Sequence, residues 1–390
     1  MKIAVVCDSF KGSLTSKDAC AAVKDGLLRC NKNFEVLSLP FADGGEGTSR
    51  CFYDILGGQL RKAAVHDPLL REITAEYTVL PDGTAVIDIA SASGLTLLKS
   101  SERDAVKVSS LGSGELICDA AEHGAKHIIL GLGGSATTDA GTGILYALGM
   151  RFFSEDGVEV LPDGQNMIRV KKIRRTENFE RFKDIKFTLA CDVTNPLCGE
   201  NGAAYVFSPQ KGASKNDVKL LDDGLRNIGE IFEKASGKKI INLPGAGAAG
   251  GIGGGLSAFL NCELQSGFDV LARAASLEDK IRRSDAVITG EGKTDRQTLF
   301  GKLPKRVSDI AEKFGVPCIL LSGDVETDIS AEKLGVCEIH KIKENGISLE
   351  HCMKNAASLL SERAFAIGKD SKIINKQYNR KQEKMRENER

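Results

Sequence analysis

The 390-residue sequence has no excess of either charge: 53 Lys and Arg stand against 53 Asp and Glu. No global field draws it to nucleic acid or to an anionic membrane, so any anion it binds must be held by a local site. Eleven cysteines include no C-x-x-C pair. An odd, scattered set of thiols reads as reduced cysteine in a cytosolic protein. Cys191 and Cys198 lie close in sequence, but no nearby histidine completes a zinc set. His123 and His127 have Gly124 between them and no H-E-x-x-H, so they read as surface residues. Long apolar runs are also missing. Five apolar residues after Lys2 are interrupted by Asp8, short of the roughly 7–15 of a signal peptide. The longest uncharged stretch, Ile240 to Cys262, holds Pro244 and seven glycines and would make a poor membrane helix. The expectation is a cytoplasmic protein without a nucleic-acid or membrane partner.

What the chain has in excess is glycine: 42 of 390 residues, about 11% against an average of ~7%, with no collagen-like period. Extra glycine implies many tight loops. Hydrophobic content of 42% and charged content of 27% are those of a folded protein. The length suggests two or three domains, or one carrying an insertion.

Ile3 to Cys7 is a short apolar run suited to a strand buried on both faces. Thr15 with Asp18 fits a helix cap before an apolar-periodic segment reaching Arg29. Val36 to Leu39 predicts a second strand and Thr48 to Leu56 a second helix, the beginning of a β-loop-α sheet. The period then changes. Ile73 to Val79 and Ala85 to Ile89 alternate about a Pro81-Asp82-Gly83 turn, predicting an antiparallel hairpin. Further strands are expected at 128–130 and 187–190 in a mixed middle segment, and buried parallel-type strands return at 286–289 and 318–321. The resulting expectation is an α/β protein of two domains. Residues 1–60 and 281–368 form one, 61–280 form a mixed α/β insertion, and 369–390 form a charged tail that is disordered or a solvated helix.

Four glycine-bearing segments follow predicted strands, where open α/β sheets bind ligands. The first is Asp8-Ser9-Phe10-Lys11-Gly12-Ser13 and the second Ala42-Asp43-Gly44-Gly45-Glu46-Gly47-Thr48. The third runs from Gly131 through Gly133, Gly134 and Ser135 to Asp139, and the fourth is Gly290-Glu291-Gly292-Lys293-Thr294-Asp295. Asp192 and Asn195 follow the strand at 187–190. Singly, each reads more readily as turn and capping chemistry. Together they supply what phosphoryl transfer needs: backbone donors for phosphate oxygens, lysine charge, carboxylates for Mg²⁺, and a carboxylate to accept a hydroxyl proton.

The rival reading is an NAD(P)-dependent oxidoreductase acting on a small 2-hydroxy acid. Gly245 to Gly250 fits G-x-G-x-x-G, and Gly131 to Ala136 fits the G-x-G-x-x-A form after a strand. Against it, Asp139 puts a carboxylate near where a pyrophosphate would sit. Gly292-Lys293-Thr294 looks like the end of a P-loop, but the first glycine position of that motif is Val287. Protein-kinase H-R-D and D-F-G signatures are absent.

The segments DSFKGSLTS from Asp8, ADGGEGT from Ala42, GLGGSAT from Gly131, ACDVTNPLCGENGAA from Ala190, PQKGA from Pro209, PGAGAAGG from Pro244 and ITGEG from Ile288 resemble the bacterial-type glycerate kinase family, type 1, from Met1 to about Gly368. The resemblance implies ATP- and Mg²⁺-dependent phosphorylation of D-glycerate, leaning to the C2 hydroxyl. It also implies a Rossmann-like domain and a second α/β domain around an interdomain cleft holding the active site. On that basis Asp192 is the favoured general base, Asp295 the next candidate, and Lys11 and Lys293 face phosphate or carboxylate oxygens. Asp8, Ser9, Gly133, Gly134, Ser135, Gly290 and Gly292 are candidates for binding substrate or phosphate, and Asp43 and Glu291 for Mg²⁺. Asp8 reads equally as a loop anchor, and Asp192 as the partner of the Thr194-Asn195 turn. A homodimer is left open. Several positions depart from the family pattern. Cys7 stands for proline, Thr138 and Ala140 for asparagine and glycine, Ser208 for glycine, Lys293 for arginine and Arg306 for glycine.

Overall fold

A computed structural model describes residues 1–42, 47–161, 163–344 and 346–388. Among the described residues thirteen strands follow in chain order: β1 (Lys2–Cys7), β2 (Glu35–Pro40), β3 (Gln59–His66), β4 (Glu72–Val79), β5 (Ala85–Asp88), β6 (His127–Gly131), β7 (Met150–Phe153), β8 (Lys172–Arg175), β9 (Lys186–Ala190), β10 (Asn261–Gln265), β11 (Ala286–Thr294), β12 (Cys318–Val325) and β13 (Glu338–Lys341). The chain divides into two compact units. Unit 1 is Met1–Asp43 with Leu271–Arg390, and unit 2 is Gly44–Val270.

Unit 1 is built on a five-stranded, wholly parallel sheet in the order β2-β1-β11-β12-β13. This is the doubly wound 2-1-3-4-5 order, whose topological switch lies between its first and third strands, here β1 and β11. Ile3, Val5, Ile288, Ile319 and Leu321 are fully buried, as continuous apolar runs covered on both faces require. The helix Ser16–Cys30 starts where the Thr15 hydroxyl accepts the Asp18 N–H, as the capping pattern predicts.

Unit 2 carries a six-stranded sheet, β10-β9-β6-β5-β4-β3. β3, β4 and β5 run antiparallel in sequence, while β5, β6, β9 and β10 are parallel. The hairpin expected at 73–89 is therefore present. It gains β3 on its outer edge, whose one-sided alternation in Ala63 and Val65 was too short to read. A separate ribbon pairs β7 with β8. The unit's core centres on Ile87, Ile128, Leu130, Phe187 and Leu189.

The charged tail differs from a disordered segment: Lys372–Asn388 is a helix. Its first turns are anchored, with Ile374 fully buried and the Tyr378 ring edge-on to Phe34 at 6.0 Å between centroids. Ile374 and Tyr378 fall four apart on one face, which a count of apolar residues misses but helical spacing explains.

Candidate active site

In unit 1 the switch point falls between β1 and β11, and in doubly wound sheets a ligand crevice lies there, beyond the carboxyl ends of the strands. A cavity of about 740 Å³ lies there, and Asp8, Ser9, Lys11, Glu291, Gly292, Lys293 and Asp295 all line it. Seven of the sequence-derived candidates thus meet in one place.

The close meeting depends on bare glycines. The segment 290–295 reads as a loop in sequence, but β11 continues through Thr294, opposing Lys293 to Asp324 and Thr294 to Val325 of β12. A Cβ on Gly292 would stand 3.1 Å from Phe10 Cα, and one on Gly323 only 2.1 Å from the Gly292 carbonyl oxygen. The β1 loop, β11 and β12 therefore stack backbone to backbone to make the cavity floor. Gly290 is buried within the sheet, its carbonyl accepting the Asp8 N–H at 2.9 Å, and does not line the cavity.

Lysine and carboxylate alternate around the walls. Lys293 donates to Glu326 at 2.9 Å, Lys302 to Asp295 at 3.2 Å, and Lys343 to Asp324 at 2.6 Å. The Glu326 carboxylate raises the Lys293 ammonium above its ordinary value. Burial pushes Asp295 up. The Lys302 ammonium and the Gln297 and Thr298 N–H groups outweigh it, leaving that carboxyl below its ordinary range. Asp295 also caps the short helix Arg296–Leu299 by accepting the Gln297 N–H. Lys302, Lys343 and Asp324 escaped the sequence reading. Gly323 follows an apolar run in β12 as Gly290 follows one in β11, a signal that could have located Asp324.

Glu291 has a different environment. It is buried, and desolvation drives its carboxyl up to about 7 against the pull of the Thr298 and Thr294 hydroxyls and Lys302, with nearby Asp8 raising it further. The Thr298 hydroxyl donates to Glu291 Oε1 at 2.7 Å. Asp8 Oδ1 also accepts the N–H of Ser9 at 2.6 Å. Among the described residues no three His, Cys, Asp or Glu side chains converge as a metal cage. Mg²⁺ needs none, since it is commonly held by one or two carboxylates, substrate phosphates and water. Two hard carboxylates that repel each other in a partly dry pocket fit that cation. Asp43, the other metal candidate, lies outside the described residues. The start of helix Thr48–Leu56 is already satisfied within the protein. The Asp88 carboxylate accepts the Gly47 N–H at 3.0 Å and the Ser49 N–H at 3.1 Å.

In unit 2, the segments after β6 and β9 leave adjacent strands, with Gly131 opposite Ala190. They bring Gly133, Gly134 and Ser135 to the same sheet edge as Asp192, which is exposed. Gly134 has φ +76°, and its carbonyl accepts the Leu95 N–H at 2.9 Å. Ser135 is buried and accepts the Thr137 N–H at 3.1 Å. Asp139 turns inward. It accepts the hydroxyl and N–H of Ser110 and the N–H groups of Gly141 and Gly143, so it frames the loop from the core side.

Beneath this loop lies Lys211, 4% exposed, whose ammonium donates to the Thr137 carbonyl at 2.6 Å and to Ser135 Oγ at 3.4 Å. Burial lowers its pKa to about 8, opposed by the Asp139 charge. It belongs to the PQKGA segment, whose presence was visible in sequence and whose role was not. The Gly245–Gly250 fingerprint packs behind the same loop. A Cβ on Gly250, at φ +69°, would lie 2.0 Å from the Thr137 carbonyl oxygen, so close packing explains that glycine. Two departures from the family pattern meet here: the Thr138 and Ser208 hydroxyls, both buried, are 2.9 Å apart.

Glycine-floored strand ends carrying lysine and carboxylate in two α/β units define an enzyme of the phosphate-handling class. Comparison with known proteins makes the class particular. The model of the Glycerate kinase family matches residues 3–372. "Glycerate kinase" of Halalkalibacterium halodurans is 38% identical over 93% of this chain and 96% of its own, and "Glycerate 2-kinase" of Escherichia coli is 41% identical over 84% and 87%. A crystal structure of a Salmonella typhimurium LT2 protein, provisionally named glycerate kinase 2, superposes with TM-score 0.84 at 35% identity, covering 94% of this chain and 97% of that one. The chain belongs to the glycerate kinase family and is a kinase, a class that uses ATP as phosphate donor. Among the described residues no helix is long and apolar enough to cross a membrane.

Proposed function

We propose that the chain transfers the γ-phosphoryl group of ATP to the C2 hydroxyl of D-glycerate, giving ADP, 2-phosphoglycerate and a proton. The observation that carries this reading is the near full-length match to the Glycerate kinase family, together with 41% identity to a relative named for the 2-position.

The Gly133-Gly134-Ser135 loop binds the acid through backbone N–H groups and hydroxyls. Asp192 is the general base, orienting the attacking hydroxyl and accepting its proton. Its support is an exposed carboxylate just after β9, beside the strand that leads into that loop. Asp295 is the second candidate, and its commitment to Lys302 and to a helix start counts against it. Lys11 and Lys293, with Ser9 and the Gly292 backbone, face phosphate oxygens. Asp8 and Glu291 would hold Mg²⁺, which would supply positive charge to offset that of the transferring phosphate.

The test is ADP release measured with D-glycerate, L-glycerate, tartronate and no acid. Release that requires D-glycerate supports the reading; release indifferent to every acid contradicts it.

A further inference from the structure

The segment that joins β11 to the helix Leu303–Lys313 is pinned at both ends and bare at its tip. At its start Asp295 caps the short helix Arg296–Leu299, and Asp328 holds the Arg296 guanidinium at 2.7 Å. Thr298 is fully buried, its hydroxyl donating to Glu291 and accepting the Asp295 N–H at 3.2 Å. At the other end Leu303 is buried. Between these anchors stand Phe300 and Gly301. Phe300 is 88% exposed, more than any other large apolar side chain among the described residues. Gly301 has φ +103°, and a Cβ built on it would meet nothing within 4 Å.

A single exposed apolar residue ordinarily needs no explanation. The place of this one does. Asp295 and Lys302, on either side of the tip, both line the unit-1 cavity and hold each other at 3.2 Å. Residues 296–301 therefore arch between two points on the cavity rim, and the phenyl ring at the top of the arch faces water. Only two backbone hydrogen bonds hold that tip, from the Phe300 N–H to the Gln297 carbonyl and from the Gly301 N–H to the Thr298 carbonyl. Glycine at the foot of the tip, with open space around it, is free to absorb a change of backbone angle.

Resting on the kinase reading above, we propose that residues 296–301 are a strap that closes over the cavity mouth, with Phe300 as the side chain that shuts water out. Phosphate oxygens entering the cavity draw Lys302 away from Asp295, the strap turns about Gly301, and the ring comes down over the transferring group. An ion pair in partial contact with water exchanges partners at modest cost, and taking the ring out of water favours the closed form. Closure matters because water can attack the γ-phosphoryl group in place of the acid's hydroxyl, so a mouth left open spends the donor on hydrolysis.

The sequence contains no tryptophan, so Phe300→Trp places a single fluorophore at the tip. With β,γ-imido-ATP its emission is expected to move to the blue and its quenching by acrylamide to fall, while D-glycerate alone changes neither. Quenching that ignores β,γ-imido-ATP overturns the proposal, as does an equal response to D-glycerate alone. A shift that grows with protein concentration in the absence of ligand also overturns it, and would make Phe300 a contact between copies of this chain. Phe300→Ala gives an independent readout that a structural role would not move: the amount of ADP formed per phosphoglycerate rises severalfold while the melting temperature holds. A ratio equal to that of the unsubstituted chain overturns the assignment of Phe300. Failure here and failure of the kinase reading look different. Acid-dependent ADP formation by the unsubstituted chain, with a Phe300→Trp variant indifferent to β,γ-imido-ATP, sinks only this inference; absence of that ADP formation sinks the reading beneath.

Discussion

Lysine is used in opposite ways in the two units. Around the unit-1 cavity, Lys293, Lys302 and Lys343 are each within 3.2 Å of a carboxylate and keep contact with water. Lys211 in unit 2 is buried, and its ammonium is satisfied by a carbonyl and a hydroxyl. A lysine that keeps contact with water in an ion pair can trade its partner for a ligand anion at modest cost, because water partly screens the pair. A buried ammonium cannot move, and burial disfavours its charge. The first arrangement suits capture and release of a polyanion; the second suits holding a backbone loop in one shape.

Breaking that comparison at the chemistry should have the largest effect. Asp192→Asn is expected to lower kcat by roughly 10²–10⁴-fold while the melting temperature stays put; near-normal turnover removes Asp192 from the mechanism.

Next comes Lys211→Met, expected to lower kcat/KM for D-glycerate by about 10- to 100-fold through a loosened Thr137 carbonyl, with a smaller loss of thermal stability, because relief of an unfavourably buried charge offsets part of the cost of the lost donor. Steady-state kinetics and a melt on the same sample decide it, and equal losses in both would make Lys211 a purely structural residue. The pH dependence carries the same signature. With a folded pKa near 8 against an ordinary 10.5, Lys211 contributes stability that is present above 10.5 and lost as pH falls through 8. Stability should therefore rise between those values relative to Lys211→Met, a slope readable in denaturant melts across that range.

A smaller effect is expected from Lys343→Ala: KM for ATP rises about three- to tenfold with KM for D-glycerate unchanged, and a reversed split would assign the cavity to the acid. The smallest concerns Thr138 and Ser208. Ser208→Gly leaves a buried hydroxyl without its partner and should destabilise by about 1 kcal/mol. A double-mutant cycle with Thr138→Val should show coupling of similar size, and additivity would mean the 2.9 Å contact contributes nothing.

Much of this was legible in the sequence. The strand β1, the helix start at Thr15 and the helix Thr48–Leu56 follow from local periodicity and capping, which a single sequence carries directly. The grouping of Asp8, Ser9, Lys11 and Glu291 also followed, because strand-end loops of a parallel sheet share one edge. What stayed hidden depends on distant approach. Residues 290–295 read as a loop because glycine is a poor strand former, yet here its missing side chain is what lets β12 and the Phe10 backbone close in. Lys343 and Asp324 come from separate segments with no shared spacing. Lys211 looked like one more lysine, since only tertiary packing shows that it is buried.

The most direct measurement is proton-coupled ³¹P NMR of the product made from ATP and D-glycerate. Phosphate on C2 couples to a single methine proton, so the account predicts a new ester doublet growing in step with ADP. A triplet, from coupling to the two C3 protons, or ADP formation without any new ester, would contradict it.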